Sequence, residues 1–231
     1  GDHRDLHLSL RRQRQMCIRD RINIIFVHKR DFMTVAIIDC GGANLRSVQR
    51  AVELQGMKTI ITNNKDVVSN ASFVILPGVG SASSVMNSLK SNSLIPTIRN
   101  LTQPVLGICI GMHVLFDHSE EHDTKCMGII AGNIKKFKSD INIKVPQMGW
   151  NKVTFNDSNE NKLDDYYYFA NSFYAPISNH ALASADYSLP YSAAVQSNNF
   201  YGCQFHPEKS SLAGQKFLDY FFNYNENITS Y

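Results

Sequence analysis

The sequence predicts an α/β protein with a mostly parallel, open sheet that is flanked by helices and continued by a mixed or antiparallel extension. Three observations predict this fold class. Short apolar runs in the first half end at Gly, Pro or Asp, stretches with helical spacing separate them, and the second half holds several short strand candidates before one last helix. Alternating strands and helices are typical of doubly wound sheets, whereas consecutive strands joined by polar turns are typical of antiparallel ones.

The first half supplies the predicted parallel strands, because most of its short apolar runs are polar on neither face and suit burial on both sides. These strands are predicted at residues 35–38, 58–62, 73–76 and 105–108. Apolar residues at helical spacing follow at 44–55, 84–90 and 94–100, and one more helix is predicted to begin with 112–116. Gly56 is the expected C-cap of the first helix.

The second half supplies the predicted extension of the sheet. Its strand candidates are 150–155, 166–170, 181–185, 193–196 and 201–205, and a final helix is predicted over 212–224. Polar turns separate these strands, so an antiparallel or mixed arrangement beside the parallel strands is expected. Residues 33–231 are therefore interpreted as one α/β domain.

Composition limits the classes of function. Of the 231 residues, 43% are hydrophobic and 19% charged, which is ordinary for a globular domain, and no apolar run approaches the roughly 20 residues of a membrane-spanning helix. The five cysteines are an odd number without close metal-ligand spacing, so neither a disulfide framework nor a metal site is predicted. A reducing cytoplasm is the expected location, and one cysteine is a candidate nucleophile.

Residues 1–32 differ from the rest of the chain. They hold eight Lys and Arg against four Asp, so the formal charge of +3 comes from this segment and not from residues 33–231. The charge therefore gives no support to nucleic-acid binding. The segment has neither the apolar run of a signal peptide nor the acid-poor composition of a transit peptide. It is interpreted as an extension, either a disordered tail or a sequence artefact.

The strongest local motif is Gly107-Ile108-Cys109-Ile110-Gly111. An apolar strand leads into it and a helical stretch leaves it, which is the setting of a nucleophile elbow. The flanking glycines permit a sharp turn that would hold the thiol at the end of the sheet. The alternative is a buried cysteine that merely packs as a small hydrophobe, and we keep that interpretation for Cys40, Cys126 and Cys203.

A base and its orienting group are predicted at His206-Pro207-Glu208, directly after a strand candidate. A nucleophilic cysteine needs a base, and histidine is the usual one because its pKa lies near the working pH. A carboxylate two residues later can accept a hydrogen bond from the other ring nitrogen. Without the cysteine motif, these residues could equally form an ordinary turn.

Oxyanion donors are predicted from two loops. Pro77-Gly78-Val79-Gly80 follows the third strand, and the backbone N–H of Ile110 follows the nucleophile. Such N–H groups can stabilise the negative oxygen of a tetrahedral intermediate. A plain strand-to-helix turn is the alternative for the first loop. This chemistry requires no cofactor and no metal.

These motifs together resemble the class I glutamine amidotransferases, whose triad pattern is a Gly-x-Cys-x-Gly elbow followed near the C-terminus by His-Pro-Glu. Within that class the chain is similar to the glutaminase subunit of imidazole glycerol phosphate synthase. The segments that carry this similarity are 39–48, 77–80, 145–151 and 204–210. The resemblance covers nearly all of 33–231 and leaves out 1–32.

The resemblance implies a reaction and a partner. Cys109 would attack the side-chain amide of glutamine, His206 would protonate the leaving ammonia, and Glu208 would hold His206 during hydrolysis of the thioester. Ammonia would pass to a (β/α)8-barrel cyclase subunit in a heterodimer. That subunit would make imidazole glycerol phosphate and an aminoimidazole-carboxamide ribonucleotide in histidine biosynthesis. Neither a membrane nor a nucleic acid would be a partner.

The resemblance also implies roles for individual residues. Val79, Gly80 and Ile110 match the oxyanion region. The positions that hold glutamine in the family are matched by Gly80, His113, Glu121, Ser172 and Phe173. The positions that face the cyclase and the ammonia exit are matched by Asn44, Tyr168 and Lys209. Asn44 could instead be only a helix cap, Tyr168 could simply pack, and the two charged residues could be solvated surface groups.

Four positions depart from the family pattern. His113 stands where the family usually has Gln, Gln147 and Asn171 stand where it often has His, and Phe173 lacks the usual tyrosine hydroxyl. Two alternatives therefore remain beside the hypothesis of a glutaminase subunit in histidine biosynthesis. The same glutaminase chemistry could serve a different synthase, such as one that aminates a nucleotide sugar, or the chain could be a non-catalytic subunit that activates its partner. A further hypothesis is that the chain is a γ-glutamyl hydrolase that works without a partner.

Overall fold

The computed structural model describes residues 33–41, 44–139, 143–156 and 161–226. The prediction for residues 1–32 lies outside the described residues. In the first half the strands are β1 (Thr34–Ile38), β2 (Lys58–Thr62), β3 (Phe73–Gly78) and β4 (Val105–Cys109). Helices alternate with them: α1 (Leu45–Glu53), α2 (Lys65–Asn70), α3 (Ala82–Ser91), α4 (Ile95–Arg99) and α5 (Ile110–His113). All four predicted strands and the first three predicted helices are confirmed.

Among the described residues, the second half contains nine further strands and the last helix. The strands are β5 (His118–Ser119), β6 (Thr124–Lys125), β7 (Asn133–Lys136), β8 (Gln147–Phe155), β9 (Asp165–Asn171), β10 (Phe173–Tyr174), β11 (Ala181–Asp186), β12 (Pro190–Ser197) and β13 (Phe200–Cys203). Helix α6 (Ser211–Glu226) follows a 3-10 turn, Pro207–Lys209. The predicted strands of this half correspond to β8, β9, β11, β12 and β13.

A nine-stranded sheet has the order β2-β1-β3-β4-β13-β12-β11-β8-β9. The first five strands are parallel to one another, and from β13 to β9 each neighbouring pair is antiparallel. This arrangement confirms the predicted parallel sheet with an antiparallel extension. Strand β13 lies beside β4, which brings the C-terminal motif next to the strand that ends at Cys109.

Burial on both faces explains why the central strands consist of continuous apolar residues. Residues 35–38 of β1 and 74–76 of β3 are fully buried, because helices cover both faces of this part of the sheet. The buried side of α6 adds a cluster of rings, in which Phe217 packs on Phe205 and Phe222 packs on Phe73 at centroid separations of 4.9 and 5.0 Å. This cluster lies directly behind the turn at Pro207–Lys209.

One helix prediction was wrong. The helix after the nucleophile does not begin at Met112 and continue to Phe116; it begins at Ile110 and ends at His113. Backbone carbonyls of residues 114–116 accept instead from N–H groups of residues 127–130, at 2.7–2.9 Å. These long-range hydrogen bonds compete with a further helical turn, and no local pattern in the sequence announces them.

Two sets of elements were missed. A four-stranded sheet of order β10-β7-β5-β6 contains strands of only two to four residues, which are too short to show a period. Helix α2 is only six residues long, although Asn64 caps it by accepting from the N–H groups of Asp66 and Val67. Among the described residues, none of the helices is both long enough and apolar enough to span a membrane.

Glycines allow β3 and α5 to approach each other around the end of β4. A Cβ atom on Gly111 would lie 1.8 Å from the carbonyl oxygen of Leu76, and one on Gly78 would lie 2.4 Å from the backbone nitrogen of Gly111. Both contacts involve backbone atoms that cannot rotate away. The glycines of the cysteine motif are therefore required by close packing behind the thiol.

Replacing Gly111 with alanine is expected to destabilise the fold by about 3 kcal/mol or more, because the methyl group overlaps backbone. For a chain of this size, that corresponds to a fall in melting temperature of about 10 °C in thermal unfolding. Gly56→Ala is the matched control, since Gly56 has open space around it and a positive φ of 77°. Its cost should be limited to about 1–2 kcal/mol of backbone strain. Equal melting temperatures for the two variants would contradict the packing argument.

Candidate active site

Cys109 lies at the end of β4 with φ 54° and ψ −108°, a strained conformation for a residue with a side chain. Such strain is typical of a nucleophile held on a sharp turn between a strand and a helix. The residue is only 4% exposed, yet it lines a cavity of about 270 Å³. The elbow predicted from the glycine pattern is therefore present, and it holds the thiol at the wall of a cavity.

His206 and Glu208 form the second part of the site. Nδ1 of His206 lies 2.8 Å from Oε1 of Glu208, and the two side chains are 8% and 1% exposed. The backbone fixes the histidine, because its N–H donates to the carbonyl of Tyr168 at 2.9 Å. Its carbonyl accepts from the hydroxyl of Ser210 at 2.7 Å. His206 lines the same cavity as Cys109, whereas Glu208 lies behind it.

The charge environment favours the protonated ring of His206. Burial lowers the pKa of this imidazole, but hydrogen bonds and charges from Cys109 and Glu208 outweigh burial and raise the pKa to about 10. The charged form of the His206 ring is therefore favoured by its interactions with Cys109 and Glu208. The amide of Asn44 donates to the same oxygen of Glu208 that faces His206, so Asn44 supports the triad from behind.

The alkaline limb of the pH–activity profile should follow His206. Loss of its proton removes the acid that the leaving group needs, so glutamate release should fall as pH rises through about 10. Glu208→Gln removes one of the two anions that raise this pKa, so the limb should move to lower pH. Glu53→Gln is the control, because Glu53 is exposed and its carboxylate accepts from the Thr59 hydroxyl, away from the site. A limb that stays in place in Glu208→Gln would contradict the assignment.

The predicted oxyanion residues surround the thiol. Val79, Gly80 and Ile110 all line the cavity with Cys109. Strands β3 and β4 are in register with Gly78 opposite Cys109, which places the loop after β3 beside the nucleophile. Gly80 has a φ of +88°, a conformation that favours glycine. Their role as oxyanion donors stays a prediction.

The residues predicted to hold glutamine also meet at this cavity. Gly80, His113, Glu121, Ser172 and Phe173 all line it, although they come from three separate segments of the chain. One oxygen of Glu121 accepts from the N–H of Ala82 at 2.6 Å, so this carboxylate is held at the first turn of α3. Their contacts with substrate stay predictions.

His113 is buried and neutral. It is 1% exposed, and burial lowers the pKa of its ring to about 4, against a smaller opposing effect of its hydrogen bond to Gln204. Nε2 of His113 lies 2.7 Å from Oε1 of Gln204. Gln204 was missed as a candidate for the site; its position two residues before His206 and next to a strand was the available signal.

Two departures from the family pattern are neighbours in space. Gln147 and Asn171 face each other across the β8–β9 pair. Oε1 of Gln147 accepts from the Tyr191 hydroxyl at 3.0 Å, and Nδ2 of Asn171 donates to the carbonyl of Phe173 at 2.9 Å. Asn171 also lines the cavity, and sequence reasoning did not place it there.

Two of the three residues predicted to face a partner, Tyr168 and Lys209, lie together at the rim of the cavity. Nζ of Lys209 lies 5.6 Å from the ring centroid of Tyr168, a cation–π contact. The Tyr168 ring packs against Trp150, which is 53% exposed, and Met148 on the same strand is 68% exposed. Asn44 lies instead below this rim, against Glu208. Exposed apolar side chains grouped in this way are typical of a docking surface.

A buried cysteine and histidine at one cavity, with a buried carboxylate against the far side of the histidine, form the arrangement typical of enzymes that use a thiol nucleophile. In the described part of the chain, no group of His, Cys, Asp or Glu side chains is arranged to hold a metal ion. A family model for class-I glutamine amidotransferases matches residues 36–224. The chain therefore belongs to the class-I glutamine amidotransferase family.

Similar proteins show to which branch of this family the chain belongs. The subunit HisH 2 of imidazole glycerol phosphate synthase from Legionella pneumophila is 42% identical over 193 residues, which are 82% of this chain and 97% of that protein. Subunit HisH from Pasteurella multocida is 42% identical over 84% of this chain and 98% of its own length. Subunit HisH from Bacteroides thetaiotaomicron is 40% identical over 83% of this chain and its full length. Within the family, the chain belongs with these HisH subunits.

Solved structures share the fold. A crystal structure of a glutamine amidotransferase matches with a TM-score of 0.66 at 15% identity, covering 83% of this chain and 98% of that one. The structure of PurLQS from Thermotoga maritima matches with a TM-score of 0.62 at 17% identity, again over 83% of this chain and 98% of that one. At such low identity, the likeness extends to the fold alone.

Proposed function

We propose that this chain releases ammonia from glutamine at Cys109 and delivers it to the cyclase subunit of an imidazole glycerol phosphate synthase, in histidine biosynthesis. The observation that carries the chemistry is the convergence of Cys109 and His206 on one cavity, with Glu208 against the far side of the imidazole. The names of the relatives support the synthase, and the intact triad favours a catalytic subunit over a purely activating one.

In the first half of the proposed reaction, the Cys109 thiolate attacks the side-chain amide carbon of glutamine. N–H groups of the loop at Val79 and Gly80 and of Ile110 stabilise the oxyanion. The C–N bond then breaks, and His206 gives its proton to the nitrogen that leaves as ammonia. A glutamyl thioester on Cys109 and a neutral His206 remain.

In the second half, His206 changes from acid to base. Acylation removes the negative charge on sulfur, which is one of the two anions that raise the pKa of His206. That pKa therefore falls toward the working pH, and the neutral ring takes a proton from the attacking water. The thioester breaks, glutamate leaves, and the thiolate–imidazolium pair is restored. Glu208 holds the same ring nitrogen throughout, through its 2.8 Å contact.

The partner would be a (β/α)8-barrel cyclase that docks on the rim formed by Trp150, Tyr168 and Lys209. The exposed Met148 and Tyr166 extend this rim along β8 and β9, and their apolar area would be buried by docking. Ammonia would leave the cavity near Lys209, which lines it. A cytoplasmic location fits a free nucleophilic thiol, because a reducing compartment keeps it unoxidised.

The test is ammonia transfer in the reconstituted pair. The full chain and the cyclase subunit are supplied with glutamine labelled with ¹⁵N in its amide, together with the cyclase's nucleotide substrate. We expect the cyclase and its nucleotide to raise glutamate release and the label to enter the imidazole product even with unlabelled ammonium in solution. Cys109→Ala should lose the transfer from glutamine yet allow the cyclase to use added ammonium. A stable pair without Cys109-dependent label in the product would overturn the proposal.

A further inference from the structure

A chain of buried polar groups connects the nucleophile to a histidine outside the triad. Nε2 of Gln204 lies 3.7 Å from Sγ of Cys109, and Oε1 of the same side chain lies 2.7 Å from Nε2 of His113. Gln204 is fully buried, and His113 is 1% exposed. The arrangement of Cys109, His206 and Glu208 does not require the contacts that Gln204 makes with Cys109 and His113. These contacts therefore need a separate explanation.

The protonation of His113 decides which way the Gln204 amide points. The other ring nitrogen, Nδ1, has no hydrogen-bond partner among the described residues. A buried N–H without a partner is costlier than an unpaired acceptor, so the proton belongs on Nε2. Burial keeps the ring neutral by lowering its pKa to about 4. Nε2–H then donates to Oε1 of Gln204, which turns the amide NH2 group toward Sγ.

We propose that Gln204 is a positioning residue that donates an amide hydrogen to the Cys109 thiolate, and that His113 holds Gln204 in the required orientation. The proposal deepens the proposed function and rests on it. A hydrogen bond to a charged group is stronger than one to a neutral group, so Gln204 favours the thiolate over the thiol. It also holds Sγ from the side of the sheet, while His206 approaches from the cavity.

If the contact between Gln204 and His113 only stabilised the fold, breaking it would have a different effect. It would affect thermal stability when broken, but it would not change the pH at which Cys109 becomes reactive. Near the sulfur, His206 interacts with Cys109 through a hydrogen bond and charge, Cys203 interacts with it through charge, and the amide of Gln204 lies 3.7 Å away. The reactivity of Cys109 toward a small alkylating agent therefore separates the two explanations, because the thiolate is the reactive form.

The experiment uses the full chain and measures alkylation of Cys109 by iodoacetamide as a function of pH, with the Cys109 peptide followed by mass spectrometry. Gln204→Met has nearly the same volume and lacks the amide. We expect its alkylation profile to move to higher pH by about one unit or more, and kcat for glutamine to fall about 10- to 100-fold with KM changed less. Gln103→Met is the matched control, since Gln103 donates to the carbonyls of Val68 and Ser69. It should match the wild type.

A second pair of variants guards against misfolding and tests His113. His113→Leu with Gln204→Met removes both polar partners, which is tolerated better than removing one; this double variant should show the same shift as Gln204→Met. His113→Gln should keep the wild-type profile more closely than His113→Leu, because a second amide can also donate to Gln204.

Alkylation profiles of the Gln204 variants that coincide with the wild type would overturn the proposal. The two claims can also fail separately. If Gln204→Met shows the shift but the wild-type chain hydrolyses no glutamine, with or without the cyclase, the proposed function is overturned and the positioning role stands.

Discussion

Replacing Cys109 with alanine should reduce glutamate release by about 10⁵-fold or more, to the background of the assay. The variant loses the thiol that is proposed to form the thioester, and the oxyanion N–H groups alone cannot replace a nucleophile. The measurement is glutamate release from glutamine by the complex with its cyclase, at saturating substrate. Melting temperature serves as the folding control, because the substitution also removes the contacts of Sγ with His206, with Nε2 of Gln204 at 3.7 Å and with the carbonyl of Ala170 at 4.0 Å.

Cys126→Ala is the matched control for this prediction. Cys126 is also buried, at 5% exposure, and its sulfur donates to the carbonyl of Thr124 in the small sheet. Burial raises the pKa of its thiol to about 11, so it is inert at working pH. The control should retain full activity. Appreciable turnover in Cys109→Ala would contradict the assignment of the nucleophile.

His206→Asn should lower kcat by about 10³- to 10⁴-fold, because the variant has no acid for the leaving ammonia and no base for the attacking water. The double variant with Cys109→Ala should be no worse than Cys109→Ala alone, since the two residues act as one unit. The measurement is again glutamate release, extended to the rate of Cys109 alkylation, which should also fall at neutral pH when the imidazolium is lost.

Gln196→Asn serves as the control for His206→Asn, because Gln196 donates to the hydroxyl of Tyr201 on the neighbouring strand and does not line the cavity. A kcat for His206→Asn close to that of Gln196→Asn would contradict a joint role for the thiol and the imidazole. So would an unchanged rate of alkylation in His206→Asn.

The central sheet could be predicted from sequence because its strands are buried on both faces. Strands β1, β3 and β4 are mostly apolar runs; β1 ends before Asp39, β3 ends with Pro77-Gly78, and β4 leads directly into the helix at Ile110. Burial on both faces leaves a composition signal that survives without any knowledge of neighbours. The antiparallel extension was also predictable in outline, although its order in the sheet depends on pairing between residues far apart in the chain.

The parts that could not be predicted depend on long-range backbone contacts. The helix after Cys109 ends at His113 because the segment at residues 127–130 takes the carbonyls that a longer helix would use. The small sheet has strands of two to four residues, which carry no periodic signal. Local patterns contain neither kind of information.

The residues of the candidate site divide in the same way, into those that local sequence predicts and those that depend on contacts between distant segments. Cys109 and the motif at His206 were predictable because their local contexts, an elbow and a strand end, are read directly from the sequence. Gln204 was missed, because the approach of its amide to the sulfur depends on the pairing of β13 with β4. The facing positions of Gln147 and Asn171 likewise appear only once β8 and β9 are paired in register.

The most direct test of the central claim is covalent labelling with a glutamine analogue that carries a chloroketone in place of the side-chain amide. Such an analogue enters the glutamine site and alkylates the nucleophile it meets. We predict that one equivalent modifies Cys109, that glutamine protects against the reaction, and that glutaminase activity is lost in proportion to the label. Loss of activity with the label on another residue, or full activity with Cys109 completely labelled, would contradict the account.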